Sequence, residues 1–311
     1  MIGWNGAGRR NARRDRGVGL LAAVGLTLVA AGCASSKKAS SITTAPSTTV
    51  ARGSGPVDVL YAGSLLNAMS KQIGPAFNAA TGYTFTGMSG DSGTLANQIL
   101  NGTSVADVFI SASPAKNMVL EGTAGRNLVS WYASWSTSPV VLGYNPSSKF
   151  ASEITTKPWY QVLTEPGILV GRTDPVTDPK GALTVTALND AASTYNEPAL
   201  KTVATDSSNV FPETTLVGRL QAGQLDVGFF YAAEAAASNI TTVPLTGENE
   251  AATYTVTILS NAAHQAGAEA FVKYLLGPQA KPVLSTDGFN LISPPMASGT
   301  GVPASLNSVI P

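Results

Sequence analysis

Val57-Asp58-Val59-Leu60-Tyr61-Ala62-Gly63-Ser64-Leu65 is the stretch that decides the fold. Residues 57–61 form a short apolar run that predicts a buried strand, and Gly63-Ser64 a tight turn. Leu65, Leu66, Met69, Ile73 and Phe77 then recur at helical spacing and predict a helix over 65–80. A strand that turns directly into a helix sets the helix's free N–H groups at the strand's carboxyl end. The helix dipole there favours negative charge, so such a turn suits an oxyanion.

The same rhythm continues along the chain. Strand-like runs are predicted at 83–88, 106–112, 139–145, 168–173, 226–231 and 253–260. Helical patterns fall at 93–101, 114–121, 181–195, 214–223, 266–276 and 278–286. Alternating strands and helices predict mostly parallel sheets flanked by helices. Runs such as Val108-Phe109-Ile110 are continuous rather than alternating, as burial on both faces requires. The expected architecture is α/β and two-lobed. A discontinuous first lobe (56–137 with 240–311) would close on a second (138–239) through crossovers at 131–145 and 239–254.

Four strand-to-helix junctions carry small polar or acidic residues. They are Gly63-Ser64; Ser89-Gly90-Asp91-Ser92-Gly93; Asp174-Pro175-Val176-Thr177-Asp178-Pro179-Lys180-Gly181; and Phe211-Pro212-Glu213-Thr214. In doubly wound sheets such junctions converge on one crevice. Each also has a plain structural use. Ser64 and Ser92 suit helix caps, Asp178-Pro179 a turn, Glu213 a first helical turn, and Tyr231 a core position.

The N-terminus has other work. Residues 1–32 hold five arginines (Arg9, Arg10, Arg13, Arg14, Arg16), one acid and an apolar run over 17–31, which reads as a signal peptide. Arg13-Arg14 leaves twin-arginine export open beside the general route. The run ends Val29-Ala30-Ala31-Gly32-Cys33, small residues before the sole cysteine, a pattern similar to a lipobox with Cys33 as the lipidated residue. Residues 33–55 are rich in Ser, Thr and Ala and predict a flexible tether. The full chain balances 19 basic against 19 acidic side chains. Beyond residue 32 there remain 14 basic and 18 acidic, which argues against a nucleic-acid partner.

In this order and spacing, the junctions and the strands Ala106-Asp107-Val108-Phe109-Ile110-Ser111-Ala112 and Leu225-Asp226-Val227-Gly228-Phe229-Phe230-Tyr231 resemble a known family. It is the molybdate/tungstate-binding lipoproteins of ABC importers, and the likeness runs over most of 57–295. The resemblance implies the two-lobed type II periplasmic-binding-protein fold with the ligand between the lobes. It implies an exported monomer, anchored to the membrane through Cys33, that hands molybdate or tungstate to a permease without catalysis or a resident cofactor. It implies that Gly63, Ser64, Ser92, Asp178, Pro179, Lys180, Glu213 and Tyr231 surround the oxyanion, with Asp178 and Glu213 reaching the Mo or W atom itself. Two carboxylates beside a dianion make sense when they are protonated or bonded to an expandable metal centre, which sulfur is not. Lys180 stands where the family carries a small residue, and either adds charge beside the anion or points to solvent. Gly228-Phe229-Phe230 is more apolar than the family's version, and no carboxylate ligand is assigned there.

Other readings stay open. Ser64, His264 and an Asp would make a hydrolase, but the G-x-S-x-G elbow is missing. A ferric-ion site would want paired tyrosines, and Tyr231-Ala232 offers one. A sulfate-type binder and a non-transport envelope lipoprotein complete the set. Trp131 and Trp135 suit core packing better than a sugar cleft.

Overall fold

The computed structural model describes residues 52–311. The expected signal segment, Cys33 and nearly all of the tether lie outside them. The strands are β1 (Pro56–Ala62), β2 (Thr84–Gly90), β3 (Val108–Ser111), β4 (Trp131–Tyr144), β5 (Val170–Gly171), β6 (Val227–Tyr231), β7 (Thr241–Pro244), β8 (Ala251–Ile258) and β9 (Asn290–Gly299). They run in the order β2-β1-β3-β8-β4-β6-β5, with β7 and β9 also paired to β4.

β4 organises this sheet. In its first part, Ala133–Pro139 pairs with β8, and Trp131–Thr137 pairs with β9. Its second part, Val140–Tyr144, pairs with β6, and Val141–Tyr144 with β7. The protein is therefore α/β with two sheet halves, in agreement with a two-lobed fold. The sheet is mixed rather than mostly parallel. β1–β2, β1–β3 and β5–β6 are parallel, while β3–β8 and every pair made by β4 are antiparallel. Parallel pairing survives where helices carry the chain back; β7 and then β8 run back along β4 and so oppose it. Thr241–Pro244, within the expected return crossover, pairs with the second half of β4.

The helices are α1 (Gly74–Thr81), α2 (Ser92–Asn101), α3 (Pro114–Met118), α4 (Ala151–Thr156), α5 (Trp159–Val162), α6 (Pro179–Thr194), α7 (Ala199–Thr205), α8 (Glu213–Gln221), α9 (Ala232–Ala237), α10 (Gln265–Leu276) and α11 (Lys281–Thr286). Among the described residues none is long and apolar enough to cross a membrane. The helix expected over 65–80 is broken into a 3-10 turn (Gly63–Leu65), a π-helical stretch (Ala68–Ile73) and α1. Pro75 is the cause: it has no N–H to donate back, and Gly74 N–H bonds to the Met69 carbonyl five residues earlier.

The strand expected over 168–173 is only two residues long, because Arg172 bridges instead to Val210 in the segment before α8. α4, α5, α7, α9 and β7 are four to seven residues each, too short for a period to show. β9 escapes because it contains Pro294 and Pro295. Pairing jumps from Ser134↔Met296 to Ser136↔Leu291, so the prolines bulge out of the ladder. The continuous apolar runs are explained as expected. Val57, Val59 and Tyr61 pack into the main core, while Leu60, with Phe109, packs on the opposite side against Leu95 and Ile99. Trp135 is buried and stacks near Tyr254 and Phe289, ring centroids 5.7 Å away in each case, so it is a core residue.

Candidate functional site

β1 ends in the turn Gly63-Ser64-Leu65, and all three residues are buried. The cap position belongs to Ala62, and Ser64 makes no capping bond. Its hydroxyl instead accepts a hydrogen bond from the Tyr254 hydroxyl on β8, at 3.0 Å. Ser92 is likewise not a cap: Asp91 holds that position, and Ser92 Oγ accepts from the Ala112 amide at 3.2 Å. The capping explanation fails for both serines.

Asp178 is a cap, and more than a cap. Its Oδ1 accepts from the Lys180 amide at 2.7 Å and so opens α6. Its Oδ2 is buried with no hydrogen-bond partner. Glu213, the first residue of α8, is 3 % exposed, and its Oε1 accepts no hydrogen bond although the Lys180 ammonium lies 3.3 Å away. The Tyr231 hydroxyl, at the end of β6, is also buried and unpartnered. Buried polar atoms are nearly always satisfied, so orphaned ones call for an explanation. Three such atoms lie on residues drawn from three chain junctions; Glu213 Oε1 keeps its ion pair with Lys180, and a proton shared between the Asp178 and Glu213 carboxyls would join those two. Oxygens of Asp91, Asp178 and Glu213 all lie within 4.8 Å of one another.

Two glycines allow this approach. A Cβ on Gly63 would sit 2.6 Å from Glu213 Oε2, and one on Gly93 would sit 2.5 Å from the Thr177 carbonyl oxygen. Gly93 N–H donates to that carbonyl at 2.8 Å, and the Thr177 hydroxyl reaches Asp91 at 3.3 Å. The start of α2 is thereby fastened to the segment leading into α6. Beside Gly63, Ser64, Glu213 and Glu234 lies a polar cleft of about 330 Å³.

Lys180 is the position where sequence reasoning leaves two choices. The solvent choice is overturned: the side chain is fully buried, its ammonium 2.9 and 2.7 Å from the two oxygens of Glu234. Glu234 and Tyr254 lie beyond what the sequence reading reaches. A lone acid in Ala232-Ala233-Glu234-Ala235-Ala236-Ala237 is the available signal for the first. Tyr254 carries none, since its alternating strand context marks only burial. His264 bonds through Nδ1 to Asp107 at 2.9 Å, while Ser64 is engaged by Tyr254.

Burial dominates the electrostatics. It pushes the Asp178 carboxyl up from 3.8 to about 6, despite the Lys180 charge. Burial, and then the charge of Asp178, hold Glu213 well above the usual carboxylate range, and burial raises Glu234. Burial pulls Lys180 down, but Glu234, Glu213 and Asp178 outweigh it and the ammonium stays charged. A carboxyl raised on folding binds more protons in the native state than in the unfolded one. Its contribution to stability is therefore complete below about pH 4 and lost as pH rises through about 6. Asp178→Asn keeps the capping oxygen and removes the titration. In unliganded protein its Tm relative to wild type should climb between about pH 4 and pH 7; a difference independent of pH would contradict the buried, raised carboxyl.

A sequence profile described as bacterial extracellular solute-binding protein matches residues 57–290. A putative ABC transporter molybdenum-binding protein of Haloferax volcanii is 30% identical over 56% of this chain and 54% of its own length. A molybdate/tungstate-binding protein of Thermococcus kodakarensis is 25% identical over 59% of this chain and 66% of its own. The chain thus spans about half to two thirds of these two relatives. Among solved structures, the periplasmic molybdate-binding protein of Azotobacter vinelandii superposes with a TM-score of 0.58 at 21% identity, covering 76% of this chain and 99% of that one.

Proposed function

Since this chain belongs to the bacterial extracellular solute-binding proteins, we propose that its buried polar cluster captures molybdate or tungstate for delivery to the permease of an ABC importer. The observation that carries this reading is the buried cluster in which Asp178 Oδ2 and the Tyr231 hydroxyl lack a hydrogen-bond partner and Glu213 Oε1 has only its ion pair with Lys180. The Tyr231 hydroxyl, the Ser64 and Ser92 hydroxyls and the Gly63 amide would serve the oxygens of a tetrahedral anion; the Lys180 amide is spent on Asp178 Oδ1, and Pro179 has none to give. The two carboxylates would serve its central atom. For a dianion lacking such an atom, two buried acids are a liability. Two relatives bearing molybdenum or molybdate/tungstate names support the same choice.

The lobes in this reading keep to 56–137 with 240–311 and to 138–239, except that β7 moves to the second, and the anion is gripped between them. Anchoring through Cys33 belongs to the same proposal; a Cys33→Ser protein should leave the membrane fraction, and retention there would contradict it.

Ferric ion is the second reading, favoured by one observation. Tyr231 and Tyr254, both buried, lie with ring centroids 5.9 Å apart near three acids, an oxygen set apt for a hard cation. Against it, the buried Lys180 ammonium would face a trication. Calorimetric titration of the 56–311 fragment with molybdate, tungstate, sulfate, phosphate and ferric ion decides between them. Heat of binding with molybdate and tungstate is expected; binding of ferric ion alone would replace this reading with the other.

A further inference from the structure

Lys180 supplies a full positive charge to this site, and that charge is already paired. Its ammonium contacts both oxygens of Glu234, at 2.9 and 2.7 Å, with Glu213 Oε1 at 3.3 Å. Glu234 is fixed in turn, since its Oε2 accepts the Tyr231 amide at 3.2 Å. The rings of Phe230 and Tyr231 lie 5.4 and 5.7 Å from the ammonium, and the side chain is sealed from water. Glu213 Oε1 accepts no hydrogen bond and borders the place assigned to the solute, so the ammonium stands one contact away from that place.

A free ammonium at that depth would attract any small dianion, because Coulomb attraction in a low-dielectric pocket takes no account of the central atom. A bidentate carboxylate cancels it. We infer that Glu234 is a specificity-determining residue: by clamping Lys180 it withholds positive charge from the pocket and excludes anions that bind by charge alone, sulfate above all. The inference rests on the oxyanion reading above. It gives Lys180 a role that neither direct anion binding nor a solvent-facing position describes.

The test is calorimetric titration of wild type, Glu234→Gln and Glu234→Asp with sulfate and with molybdate at one pH. Glu234→Gln should bind sulfate tenfold or more tighter, and the preference for molybdate over sulfate should shrink. Glu234→Asp keeps the charge balance if the glutamine variant fails to fold. Its shorter reach loosens the clamp and should give a smaller gain in the same direction. Adding Lys180→Met to Glu234→Gln should cancel the gain. Sulfate binding unchanged in the Glu234 variants, or a gain that survives Lys180→Met, overturns the inference while molybdate binding by wild type leaves the oxyanion reading standing. A wild type that binds neither anion overturns both.

Discussion

Asp178→Asn combined with Glu213→Gln is expected to weaken tungstate and molybdate binding by a hundredfold or more, about 2.7 kcal/mol. Charge alone argues for the opposite result. Both side chains are buried, both are acids, and burial already raises their proton affinity. Where the two acids are ionised beside a dianion, removing them should tighten its binding, and sulfate should gain as much as tungstate. Bonding of the carboxylate oxygens to the central metal reverses the sign for molybdate and tungstate only. The fold should hold in the double variant, because the asparagine retains an oxygen to cap α6 and the glutamine is nearly isosteric with Glu213. A cooperative thermal transition verifies this. Titration with tungstate and sulfate side by side reads the outcome. Tighter binding of both anions would remove the two acids from the coordination role.

Gly93→Ala should cost a tenfold or greater loss of affinity for every oxyanion tested. Alanine is the better helix former, by about 1 kcal/mol, so α2 itself gains. The new methyl, however, would stand 2.5 Å from the Thr177 carbonyl oxygen, a backbone atom with no rotamer to escape through. The Gly93–Thr177 hydrogen bond that fastens α2 to the approach of α6 must then lengthen or break. The separation keeps Ser92 and Asp178 from meeting one solute together. Affinity should fall while the unliganded variant still unfolds cooperatively. Unchanged molybdate affinity in Gly93→Ala would show that this contact has no part in closing the site.

The parts of the fold that are legible in sequence are those with a long period or a distinctive junction. The apolar run 57–61 and the helices expected over 93–101 and 181–195, found at Ser92–Asn101 and Pro179–Thr194, announce themselves. Asp178, Glu213 and Tyr231 also stand at strand-to-helix junctions, and oxygens of Asp178 and Glu213 lie within 4.8 Å of each other. The broken helix after Leu65 is also written in Gly74-Pro75, although apolar spacing alone runs across it. The partners that bury these groups are hidden for a different reason. Glu234 and Tyr254 sit in an alanine helix and an alternating strand, where neither periodicity nor turn chemistry separates a site residue from its neighbours. The clamp on Lys180 is a contact between residues 54 positions apart, set by how β6 and α6 pack, and local pattern holds no record of it.

X-ray absorption at the tungsten edge of the tungstate-loaded protein tests the central claim most directly, because it counts the oxygens around the metal. Coordination by Asp178 and Glu213 predicts more oxygens than the four of the free tetrahedral anion, falling back to four in the Asp178→Asn, Glu213→Gln variant. Four oxygens in the wild-type complex, unchanged in the variant, would contradict it.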